Sequence, residues 1–131
     1  MPLSQSCADL NPHIARSRTR VGLRCGMNKT EAEFALRLEA QKRAGEILRY
    51  EFEGITLRFA NVRYTPDFVV ITNPYDLSKH RELKLIEVKG PFIRGNRERA
   101  VERFRHAKTY WPEFTFEMMQ KQKDGSWRQI I

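Results

Sequence analysis

The stretch Leu83-Lys84-Leu85-Ile86-Glu87-Val88-Lys89-Gly90 constrains this chain most, because a carboxylate and an ammonium stand at the end of an otherwise apolar, β-forming run. The two-residue period of a strand puts Glu87 and Lys89 on one face and turns Val88 away. A carboxylate drawn toward a core is costly unless something compensates it. The compensation is either Lys89 itself, in an ion pair, or a metal ion. Mg²⁺ usually takes one or two carboxylates and completes its octahedron with water and substrate phosphate oxygens, so the metal alternative requires a second acid.

Tyr64-Thr65-Pro66-Asp67-Phe68-Val69-Val70-Ile71 supplies one, since Asp67 again interrupts a run of β-formers. Pro66 favours an extended Thr65 and removes a ladder donor, which suits a strand edge or bulge where a side chain is being aimed. If this segment pairs antiparallel with Leu83 to Lys89, Asp67 and Glu87 become neighbours. A third acid comes from the first helix: Glu31 lies one turn before Phe34 and Ala35 and shares the stripe that faces the sheet. The bland alternative is that Glu31 merely favours the positive end of a helix dipole. For phosphodiester hydrolysis, carboxylates from this set would hold one or two divalent ions that polarise the phosphoryl oxygen and acidify a water. Lys89 would orient that water or stabilise developing charge. The backbone carbonyl of Val88 is a further candidate ligand.

The remaining pattern places these residues on elements. Thr30 followed by Glu33 reads as a capping box, so a helix is expected over residues 31–44, with Gly45 as its stop. Extended segments are expected over Ile47 to Phe52, Ile55 to Phe59 leading through Tyr64 to Ile71, and Leu83 to Lys89, with Glu53-Gly54 as a hairpin turn. Ala100, Val101, Phe104, Ala107 and Trp111 recur at helical spacing and predict a second helix over Asn96 to Tyr110. Two closing strands, Phe114 to Gln120 and Ser126 to Ile131, turn at Asp124-Gly125. Strands between helices in this order predict an α/β fold with a mixed central sheet flanked by helices.

With 131 residues the chain suffices for one domain with a core, expected over 27–131. Residues 1–26 carry Arg16, Arg18, Arg20 and Arg24 without apolar periodicity and read as a flexible basic arm. The net charge of +8 creates a field that attracts polyanions, and nucleic acid is the first partner to consider. Along the second helix the basic excess points to Arg97, Arg103 and Lys108 as phosphate contacts; Lys108 follows Phe104 by four positions and is expected within reach of the site. Tyr110, Trp111 and Trp127 are expected in the core rather than stacked on bases; His80 and His106 lack partners at ligand or catalytic spacing, and His13 lies in the arm. Cys7 and Cys25 show no metal-ligand spacing and read as free thiols. No stretch approaches the roughly 20 apolar residues of a membrane span, and the N-terminus lacks the pattern of a secretory signal, so the cytoplasm is expected.

Pro66-Asp67 followed by Glu87-Val88-Lys89 resembles the signature of the PD-(D/E)XK nuclease superfamily, and Glu31 is similar to the first-helix acid of some of its branches. The Lys29-Thr30-Glu31, Tyr64-Thr65-Pro66-Asp67-Phe68 and Glu87-Val88-Lys89-Gly90 blocks resemble small phage-encoded nucleases, and the size is similar to archaeal and phage Holliday junction resolvases. The resemblance spans Asn28 to about Gln120. It implies a restriction-endonuclease-like core in the order α-β-β-β-α-β, cleavage of DNA dependent on Mg²⁺ or Mn²⁺, and, for the resolvases, a homodimer acting on four-way junctions. A nuclease acting on duplex or DNA ends, and a non-catalytic basic module in which Glu87 and Lys89 only pair with each other, are the alternatives.

Overall fold

Asn28 starts the first helix, α1 (Lys29–Arg43): its Oδ1 accepts the Glu31 N–H at 2.9 Å, and Glu31 Oε2 accepts the Asn28 N–H at 2.8 Å. The capping box is therefore Asn28–Glu31, two residues before the expected Thr30–Glu33. Asparagine offers the same acceptor as threonine, and Glu31 is then the third helical residue, from which it can reach back. Glu33, freed from the cap, pairs with Lys121. Gly45, at φ 79°, takes the left-handed conformation that ends a helix without a Cβ penalty.

The structure is a computed structural model that describes residues 26–75, 78–91 and 97–131. The expected arm 1–26, apart from Gly26, lies outside the described residues, as do Cys7, Cys25 and the expected helix residue Asn96. After α1 come β1 (Ile47–Phe52), β2 (Leu57–Phe59), β3 (Val62–Tyr64), β4 (Phe68–Thr72), β5 (Leu83–Lys89), α2 (Arg97–Tyr110), β6 (Thr115–Lys121) and β7 (Trp127–Gln129). Five strands form a mixed sheet in the order β1-β4-β5-β6-β7, in which only β5 and β6 run parallel. Helix α2 makes the crossover that a parallel pair requires. The molecule is thus an α/β fold with a mixed sheet and two helices. Among the described residues, no helix is long and apolar enough to cross a membrane.

Two expectations fail around Glu53. Glu53-Gly54 does not join two paired strands, because β1 pairs with β4, in register Phe52 with Phe68. The intervening chain folds into a separate two-stranded hairpin, β2–β3, turning at Ala60 and Asn61. Leu57, Phe59 and Tyr64 explain the departure: all three bury against Phe104 and Ala107 of α2 instead of extending the sheet. The extended run from Tyr64 to Ile71 accordingly breaks around Pro66, between β3 and β4.

The sheet separates two apolar layers. Phe34, Ala35 and Leu38 of α1 pack on Tyr50, Phe52, Phe68, Val70, Ile86 and Val88, while α2 and the hairpin cover Leu85, Phe116 and Met118 on the other face. Alternation along β5 assigns Ile86 and Val88 to the first layer and Leu85 and Glu87 to the second. Trp127 meets Phe34 edge-on at 4.9 Å and Trp111 stacks on Phe114, both partly buried against the core as expected, whereas Tyr110, expected in the core, is exposed at the end of α2 and only leans on Phe59.

Candidate active site

The β4–β5 register pairs Phe68 with Ile86, so the next position outward faces Asp67 with Glu87. β4 begins at Phe68 while β5 continues to Lys89 alongside β6, so on the β4 side the backbone ladder gives way to side chains. Asp67 Oδ2 accepts the Val88 N–H at 2.7 Å. Residues in a strand present N–H and C=O to the same side, so the Val88 carbonyl is directed to the same region as Asp67. Glu87 is the buried charged residue of the sheet, 9% exposed. Its Oε1 accepts from Lys89 Nζ at 2.8 Å and its Oε2 from the Tyr64 hydroxyl at 2.8 Å. The ion pair that the sequence offered as one form of compensation is therefore present.

That pair neutralises Glu87 and leaves Asp67 with a backbone N–H alone. Burial, then the Glu87 charge, push the Asp67 carboxyl up to about 8, against the weaker opposing effects of the Val88 N–H and Lys89. Glu31 is raised as well, chiefly by burial and next by Glu53 and Glu87, while the Asn28 N–H and Lys89 oppose the rise. Glu31 thus does two things at once: it closes the helix cap and it contributes to the field of this site. The Tyr64 hydroxyl is raised far above the ordinary phenol range by burial and by Glu87, so it stays a neutral donor.

Two members were not legible as functional residues. Tyr64 holds Glu87 only because the hairpin folds back over α2, an arrangement that no local period encodes. Glu53 read as a turn residue, yet it ends β1 at φ 49° and donates its N–H to the Asp67 carbonyl at 2.8 Å. A non-glycine residue in the left-handed region costs of order 1–2 kcal/mol and marks a place worth functional attention. Its charge acts on Glu31. Glu31, Asp67 and Glu87 therefore share the field of the Lys89 ammonium, with the exposed Glu53 acting on Glu31 from outside.

The other expected contacts disperse. Arg97 is the first residue of α2, but its side chain lies outside the described residues. Arg103 is exposed and faces the hairpin. Lys108 does not reach the site. It lies in the last turn of α2, before Thr115, which pairs with Lys84, whereas Lys89 pairs with Gln120 at the opposite end of the β5–β6 ladder. Five strand residues separate those ends by about 16 Å.

Among the described residues, no three His, Cys, Asp or Glu side chains form a ready-made metal cage. The donor set is of the sparser kind that suits Mg²⁺, two carboxylates with a backbone carbonyl, which leaves the rest of an octahedron to water and substrate oxygens. It also crowds three carboxyls, Glu31, Asp67 and Glu87, near one ammonium, and burial favours the neutral form of Asp67. In comparisons with known proteins, no family model, curated protein or solved structure matches the chain.

Proposed function

We propose that the protein is a metal-dependent endodeoxyribonuclease of the PD-(D/E)XK kind, hydrolysing phosphodiester bonds in branched DNA as a homodimeric Holliday junction resolvase. One observation carries the reading: a protein with net charge +8 gathers three carboxyls, Glu31, Asp67 and Glu87, near Lys89 at one end of its central sheet, and buries Asp67 there without an ion pair of its own. Burial without compensation is expensive in a purely structural cluster. A divalent cation removes the expense.

In this reading Asp67, Glu87 and the Val88 carbonyl hold Mg²⁺, for which Mn²⁺ substitutes, and Glu31 contributes from the helix side. The ion supplies Lewis acidity and an acidified water. Tyr64 fixes the orientation of Glu87, and Lys89, already on Glu87, is placed to orient a water or to stabilise charge on the phosphoryl oxygens. The element order α1-β1-β4-β5-α2-β6, with hairpin β2–β3 inserted, supports the restriction-endonuclease-like architecture.

The test is cleavage of a synthetic four-way junction with and without Mg²⁺. Paired nicks are expected with Mg²⁺, lost in Asp67→Ala, Glu87→Ala and Lys89→Ala while junction binding survives. Equal cutting of linear duplex would remove the junction preference, and full activity in Asp67→Ala would remove the mechanism.

A further inference from the structure

A groove of about 550 Å³ runs between the hairpin and α2, lined by Asn61, Val62 and Arg63 on one wall and Arg99, Glu102, Arg103 and His106 on the other. The helical wall is a single stripe, since these four positions follow the three- and four-residue spacing of one helix face. Three guanidiniums meet one carboxylate. Each arginine could have paired with Glu102, yet Arg63, Arg99 and Arg103 make no ion pair among the described residues. The hairpin adds a second anomaly: Arg58 lies directly opposite Arg63 across the β2–β3 ladder, a like-charge pair that is unfavourable without an external anion.

The groove leads toward the carboxylate site. Phe59 touches Tyr110 and Tyr64 touches Phe104, so β3 runs toward the start of α2. Arg99 belongs to the first turn of that helix, and Arg63 immediately precedes Tyr64, whose hydroxyl binds Glu87.

We propose that this groove is the surface that binds the phosphodiester backbone of duplex DNA, with Arg63, Arg99 and Arg103 each neutralising a phosphate. The assignment rests on the nuclease reading for its choice of polyanion, and it identifies the hairpin as half of the binding surface. Asn61 and His106 add further hydrogen-bonding side chains beside the guanidiniums, as phosphate and sugar contacts commonly use. Fixed cations in a groove take up the backbone and release condensed counterions, so affinity depends steeply on salt.

The experiment measures binding of a fluorescein-labelled DNA duplex by anisotropy in chelator, across a salt series. Arg63→Ala, Arg99→Ala and Arg103→Ala are compared with Arg128→Ala, which removes one exposed charge from β7. Each groove variant is expected to weaken binding several-fold and to lower the slope of log affinity against log salt by about 0.9. Arg→Lys at the same positions should restore the slope, and unchanged thermal melting shows that the fold is intact. Groove variants that behave like Arg128→Ala, or a wild type that does not bind duplex, overturn the proposal. Cleavage is followed in parallel. Slope changes in a protein that never cuts DNA uphold the groove against the nuclease reading; cleavage with unchanged slopes overturns the groove and leaves that reading standing.

Discussion

Replacing Asp67 by Asn separates the charge of the site from its shape. The Asn side chain keeps an acceptor for the Val88 N–H, which the aspartate engages at 2.7 Å, but carries no charge. In the folded wild type, burial and then Glu87 raise the Asp67 carboxyl from 3.8 to about 8, whereas the unfolded chain loses that proton near 3.8. The folded state therefore binds more protons between these limits, and stability falls as pH rises through the window, by at most about 1.4 kcal/mol per pH unit. Between pH 5 and pH 7 the decline from this group is on the order of 2–3 kcal/mol at most, and Asp67→Asn lacks it. Urea denaturation in chelator at pH 5, 6 and 7 measures the difference. The variant should gain on the wild type as pH rises, while losing nuclease activity. Saturating Mg²⁺ should then stabilise the wild type selectively and narrow the gap, because a cation replaces the proton. A gap that stays constant from pH 5 to pH 7 would refute the account of Asp67 as an uncompensated buried acid.

Tyr64→Phe removes a buried hydrogen bond to a charged group and should destabilise the fold by about 1.5–3 kcal/mol. If the hydroxyl positions Glu87 for metal, the Mg²⁺ concentration for half-maximal cleavage rises too; an unchanged Mg²⁺ requirement would reduce Tyr64 to a packing role. At the helix start, Asn28→Ala should cost about 1 kcal/mol in chemical denaturation, with Thr30→Ala within about 0.5 kcal/mol of wild type. The reverse ranking would restore the cap to Thr30.

The residues at the end of the sheet were readable because each violates its surroundings. Asp67 and Glu87 interrupt apolar strands, and a two-residue period is enough to say that Glu87 and Lys89 share a face. The antiparallel pairing of β4 with β5 then follows from the turn signals between them. What the sequence hid depends on contacts made across long separations. Glu53-Gly54 has the local chemistry of a hairpin turn, but the competing burial of Leu57, Phe59 and Tyr64 against α2 carries the chain away from β1. Glu53 then meets Asp67, 14 positions on, and Tyr64 meets Glu87, 23 positions on. Lys108 illustrates the opposite error. Its spacing from Phe104 suggests the core-facing edge, yet Lys108 is exposed, and spacing says nothing of which end of the helix lies beside the site.

The hairpin β2–β3 shares no backbone ladder with the main sheet. It is held by Leu57, Phe59 and Tyr64 and by the contact of the tyrosine hydroxyl with Glu87. An element attached by side chains can open locally while the five-stranded ladder stays closed, and such openings occupy the low free-energy end of a protein's fluctuations. Amide hydrogens of residues 57–64 should accordingly exchange sooner than those of β5. If the groove takes up duplex DNA as proposed, a rod that stiff has little capacity to bend into a fixed slot, and a wall that yields independently would let it seat laterally and leave again without disturbing the strands that align Asp67 with Glu87.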